Sequence, residues 1–155
     1  MSLAKVTIPN NIDSIGIGAF YGNHMTIDDI YATNCEKLYD NWLLMPNGDC
    51  VNLFCESNIT EFNVNGDKPI KSFTKLCFSG CTAFQSICIP STLTSIVSPL
   101  IEDSSQLTNL QTIKVDQQNK YFKAVVYAVS ADNMLILYDP LSTYNDCKFL
   151  TKLMT

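Results

Sequence analysis

At 155 residues, 46% of them hydrophobic, and with a net charge of −5, the chain suits one domain with a sizeable core and is too apolar for a disordered segment. All ten of its basic residues are lysines, so the forked guanidinium contacts that clamp phosphate or read guanine are not available, and no basic run marks a nucleic-acid or membrane-surface patch. No apolar run nears the roughly 18 residues of a transmembrane helix, and direct membrane insertion is not expected.

The opening "MSLAKVTIP" has no signal-type apolar core and passes straight into strand-like alternation; it reads as the start of a piece of a longer protein. In chain order, the pattern apolar-x-x-apolar-x-apolar predicts strands at Leu3/Val6/Ile8, Ile27/Ile30/Ala32, Ile59/Phe62/Val64, Phe84/Ile87/Ile89 and Leu110/Ile113/Val115. In each, the last two apolar positions lie two apart, the periodicity of a strand with one buried face. Their spacings of 24, 32, 25 and 26 residues make the pattern a repeat. The segment "VTIPNNIDSIGIGAF" (6–20) also aligns without a gap on "ICIPSTLTSIVSPLI" (87–101), and "IKSFTKLCFSG" (70–80) on "IDSIGIGAFYG" (12–22).

The long interval holds "NWLLMPNGDCVNLF" (41–54), two apolar runs about a Pro-Asn-Gly-Asp turn, which predicts a β-hairpin. "AVVYAVSADNMLILY" (124–138) has the same shape about Ser-Ala-Asp-Asn, and each hairpin follows an asparagine, Asn34 or Asn119. The final "LSTYNDCKFLTKLMT" does not restart the pattern and is expected to be a cap or a truncated unit.

Stacked units of this length bury a shared core and align their strands into one sheet, whose open face is an extended binding surface. If the paired apolar residues point inward, one outward column is Lys5, Asp29, Glu61, Ser86 and Thr112, and the next is Thr7, Tyr31, Asn63, Cys88 and Lys114. Both columns are polar and mixed in charge, which suits contact with a protein or a glycan better than catalysis, and equally suits a merely solvated face.

"FSGCTAFQSICIPSTLTSI" (78–96) closely resembles the BspA-like leucine-rich repeats, and "LTNLQTIKVDQQNKYFKAVVYAVSADNMLILYDP" (107–140) resembles that family's hairpin-bearing variant. The resemblance implies a β-rich leucine-rich-repeat solenoid of stacked short parallel strands, counted with the α/β class by convention, with hairpins inserted near 41–54 and 124–138. It implies a single domain over residues 1–155, part of a longer array. It further implies a non-enzymatic, adhesion-type module, at the cell surface or secreted, that contacts host or extracellular-matrix proteins. An intracellular scaffold in the cytoplasm is the alternative. The chain departs from the pattern where Ala124-Val125 replaces a glycine before the second hairpin and where "SPLIEDSS" ends the unit begun at Ile89. Residues 33–58 follow it loosely.

The seven cysteines leave at least one thiol without an internal partner. Cys77-x₃-Cys81 has half of a zinc-site spacing, but Cys50-x₄-Cys55 is a poor second half and the only histidine is His24. In the repeat alignment Cys77 stands in the place of Ala19 and Leu100, and Cys81 falls at the family's recurrent interior cysteine, so both are expected to pack as small hydrophobes. Cys88 alone is expected on the outer face. His24 has no evident nucleophile or orienting partner. "NGD" at 47–49 and 65–67 lacks the rest of a calcium loop and reads as turns. No phosphate loop or nucleophile elbow is present, so the sequence implies no metal, no cofactor and no catalytic residue; a thiol-dependent enzyme is a remote third reading. Asn58-Ile59-Thr60 is a glycosylation triplet.

Overall fold

The computed structural model describes residues 3–64, 68–97, 100–102, 109–129, 132–138 and 150–154, the strands after Phe122 by their backbone. The second Asn-Gly-Asp turn and Cys147 lie outside the described residues. In chain order the strands are β1 (Val6–Ile8), β2 (Ile30–Ala32), β3 (Glu36–Leu38), β4 (Trp42–Leu44), β5 (Asp49–Asn52), β6 (Glu61–Phe62), β7 (Ser72–Phe73), β8 (Ser86–Ile89), β9 (Ser95–Ile96), β10 (Thr112–Val115), β11 (Lys123–Val129), β12 (Asp132–Tyr138) and β13 (Leu150–Met154). A single 3-10 turn at Ile27–Asp29 leads into β2, and the described residues contain no α-helix.

The chain winds as a β-solenoid in which β1, β2, β6, β8 and β10 mark four successive turns along a first wall. Parallel pairing there runs Val6 to Ile30 and Ile8 to Ala32, then Phe62 to Ile87 and Ile87 to Ile113. The apolar partners point inward as alternation requires: Phe62 and Ile87 are fully buried, and Ile8, Ile30, Ile89 and Ile113 are buried with them. Pro9 and Pro90, which lack the N–H to continue a ladder, follow β1 and β8, and each carbonyl accepts the amide three residues on (Ile12 and Leu93, both 3.3 Å). Asn119 of the following turn fastens the second corner, donating to the carbonyls of Pro90 (2.7 Å) and Leu93 (3.1 Å).

The second wall is a five-stranded sheet of order β3-β4-β5-β7-β9. Here the first hairpin is part of the solenoid itself: β5 lies parallel to β7, and β7 to β9, while β4 and β3 continue the sheet antiparallel. Its consecutive apolar residues have a physical reason, because a strand covered on both faces reads as an unbroken apolar run. Trp42, Leu44 and Cys50 enter a core shared with Phe62, Phe73, Phe78, Phe84 and Ile87. Leu43, Met45, Val51 and Leu53 enter a separate core with Ile8, Ile27 and Ile30. The hairpin is thus a partition between two cores.

That partition corrects one expectation. The first wall is not one unbroken sheet: β1-β2 and β6-β8-β10 are separate, with no ladder between β2 and β6. Tyr39 occupies the break. Its hydroxyl donates to the carbonyl of Asn63 (2.6 Å) and accepts the amide of the same residue (2.8 Å), the two bonds a neighbouring strand would have made. Its ring meets Phe62 at 5.6 Å and Trp42 at 6.1 Å, and the ion pair of Glu36 with Lys68 lies nearby in sequence on the same two segments.

One polar side chain inside the second wall is bonded across turns. The fully buried Asn52 donates to the carbonyls of Ser79 (3.0 Å) and Leu76 (3.4 Å) and accepts from the Asn41 amide (2.6 Å) and the Cys55 N–H (2.8 Å). The second hairpin, β11-β12, is also antiparallel, and β13 adds to it by pairing antiparallel with β12. β13 therefore extends a hairpin sheet, and among the described residues it joins no parallel pair.

Candidate functional site

The expected outer face falls into two patches. On β1-β2, Thr7 stands opposite Tyr31, which is 50% exposed, and the Lys5 ammonium sits 5.7 Å from the Tyr31 ring centre, within cation–π range. Asp29 is less available than alternation suggests. Its carboxylate accepts the Thr26 N–H (2.9 Å) and hydroxyl (3.3 Å), closing a capping box on the 3-10 turn.

On β6-β8-β10, Glu61, Ser86 and Thr112 stand in one register row and Cys88 stands opposite Lys114. The Ser86 hydroxyl donates to Glu61 Oε1 at 3.4 Å. Asn63 follows the end of β6 with an exposed side chain, its backbone held by Tyr39. Ile87 is fully buried while Cys88 is half-buried, so the strand register is the one alternation implied. Burial pushes the Cys88 thiol pKa up, Glu61 adds to the rise, and Lys114 opposes it.

Three other cysteines turn inward. Cys50, Cys77 and Cys81 are fully buried; the Cys77 thiol donates to the Cys50 carbonyl (3.4 Å) and the Cys81 thiol to that of Ser79 (3.7 Å). Cys35, Cys50, Cys55, Cys77, Cys81 and Cys88 are all free thiols, and among the described residues no three potential ligands are arranged to hold a metal ion. Burial raises the Cys77 and Cys81 pKa values well above the ordinary thiol range. The unfolded chain releases these protons above about pH 8.5, whereas the fold retains them, so stability is fully present below that pH and falls above it. The expected slope is about 1.4 kcal/mol per pH unit for each retained proton. Urea denaturation between pH 8 and 10 checks this, and the Cys77→Ala/Cys81→Ala double variant should flatten the slope.

His24 and Asn58 are exposed, on the loops that lead into β2 and β6. Sequence reasoning missed Tyr39 and Asn52, whose roles depend on pairing between distant turns. It also missed the Asp29 cap, although Thr26-x-x-Asp29 just before an apolar run is a helix-start signal.

No helix among the described residues is long and apolar enough to cross a membrane. Neither the curated proteins nor the solved structures contain a significant match to this chain. The family profile for the BspA-type leucine rich repeat region, with six copies, matches residues 1–43 and 50–150. Such repeats are generally a non-enzymatic, protein-interacting fold. With a parallel-walled solenoid, interior cysteines and apolar residues recurring in register, the chain belongs to the BspA-type leucine-rich-repeat family.

Proposed function

We propose that this chain is the interaction module of a cell-surface or secreted, adhesion-type protein, that it forms one domain of a longer array, and that its outer strand face contacts a host or extracellular-matrix protein. The reading rests chiefly on β6-β8-β10, where a polar row of Glu61, Ser86 and Thr112 lies beside Cys88 and Lys114 over the buried Phe62, Ile87 and Ile113. Such a backing holds the outer side chains at fixed spacing, so little ordering entropy is lost when a partner docks. Tyr31, beside Lys5 on β1-β2, adds an exposed aromatic of the kind that anchors interfaces.

The test is binding of the purified chain to a panel of immobilised matrix proteins and glycans. The charge reversals Glu61→Lys and Lys114→Glu and the truncation Tyr31→Ala should each weaken binding about tenfold with unchanged melting. Equal binding by these variants, with loss on reversal of Asp116 beyond the strand face, would overturn the assignment. A second reading, an intracellular scaffold, is favoured by the six unpaired thiols. Antibody labelling of unpermeabilised cells separates the two.

A further inference from the structure

A groove of about 370 Å³ lies away from the strand face, between the loop that leads into β2 and the loop that leads into β6. Its existence has a cause in the repeat. In the segment before β8, Phe78, Cys81 and Phe84 fill the interior and are all fully buried. At the matching places before β6, 25 residues earlier, stand Leu53, Glu56 and Ile59. The charged Glu56 stands in the place of the interior cysteine and smaller residues in the places of both phenylalanines, so the interior filler is reduced there. Phe20 and Phe54, 6.1 Å apart between ring centres, help to line the groove with Ile27.

The polar lining has one sign of charge. Among the described residues, Asp28, Asp40 and Glu56 line the groove and no lysine does. The Ser57 hydroxyl holds one oxygen of Asp40 at 2.8 Å. Asp40 is also among the groups that raise the pKa of the buried Cys81 thiol, so its charge is felt toward the core. The acidic residues are not arranged to hold a metal ion. An apolar lining next to several carboxylates instead complements a long aliphatic stem that ends in a positive charge.

We infer that this groove is a docking site for a basic segment of a protein partner, taking a lysine or arginine side chain with its stem on Phe20 and Phe54 and its charge among Asp28, Asp40 and Glu56. The site is separate from the strand face, and strand-face variants are expected to leave it unchanged, so the two assignments fail independently.

The experiment is a titration of isotope-labelled protein with a hexalysine amide peptide, followed by amide chemical shifts. Shifts should concentrate in residues 20–28 and 54–58. The same peptide with every lysine Nε-acetylated should bind at least tenfold more weakly. The double variant Asp40→Asn/Glu56→Gln should also weaken binding at least tenfold, whereas Asp116→Asn and Glu61→Gln should change it less than twofold. Asparagine at position 40 keeps an acceptor for the Ser57 hydroxyl, and an unchanged melting temperature establishes that the variant is folded; should it melt early, Glu56→Gln alone serves as the test. Shifts spread over the whole acidic surface, equal binding of the acetylated peptide, or equal loss with Asp116→Asn would each overturn the inference.

Discussion

Replacing Trp42 with alanine is expected to cost about 3–5 kcal/mol, the range for deleting a large aromatic from a packed core. Trp42 is fully buried at the start of β4 and faces the aromatic core of the later turns. Its ring meets Phe62 edge-on at 5.1 Å and Phe78 at 6.4 Å, and stacks with Phe84 at 6.0 Å. Its indole N–H donates to the Cys77 carbonyl at 2.7 Å. Alanine leaves a cavity among these rings and an unpaired carbonyl, and each adds to the lost transfer energy. For a chain of this size the melting temperature should fall by roughly 10 °C or more, measured by circular dichroism because the chain's one tryptophan is removed. Trp42→Phe separates the contributions: it keeps most of the ring packing, loses the hydrogen bond, and should cost about 1–3 kcal/mol. If Trp42→Ala melts like the unmodified protein, the hairpin is not the packed partition described above.

Gly80→Ala should be nearly as damaging for a different reason. Gly80 has φ +75°, and a methyl group there would lie 1.7 Å from the Cys55 carbonyl oxygen and 2.4 Å from its carbon. Both obstacles are backbone of the preceding turn, which cannot rotate aside as a side chain can. The Ser57 N–H also donates to the Gly80 carbonyl at 3.4 Å, so relieving the overlap means parting two turns. Gly22, 58 residues earlier in the same repeat position, is the control. Its φ is +77° with nothing within 4 Å of an added Cβ, so Gly22→Ala should carry only the left-handed penalty of about 1–2 kcal/mol. Gly80→Ala should exceed about 3 kcal/mol, in the range of overpacked cores and above. Equal effects at the two glycines in urea titrations would refute the inter-turn contact.

These two sites also mark what was readable from the chain alone. Inward and outward positions of β8 followed from Ile87 and Ile89 standing two apart, because alternation is local geometry. Cys77 could be assigned to packing because its place recurs as Ala19 and Leu100, and Cys81 because the repeats it resembles carry an interior cysteine there. The Pro-Asn-Gly-Asp turn announced the first hairpin. What its strands did to the wall was not legible, because the gap between β2 and β6 and the Tyr39 bonds that occupy it join residues 24 apart. One cue was present: Trp42–Met45 is apolar at every position, which alternation with one wet face does not produce. The groove left even less trace, since it arises from Glu56 and Ile59 being too polar or too small for places filled elsewhere by Cys81 and Phe84.

In an ideal solenoid each unit supports its neighbours through identical contacts, so cooperativity passes from turn to turn without distinguishing one junction from the next. Here one junction differs in kind. Between β2 and β6 no strand ladder carries load, and the two cores communicate through opposite faces of β4 and β5. Loss of either core strips one face of the same pair of strands, so the hairpin acts as the mechanical linkage between two blocks. A repeat array built this way consists of two packed blocks joined by one shared hairpin, and that hairpin fixes how its two outer patches stand relative to each other.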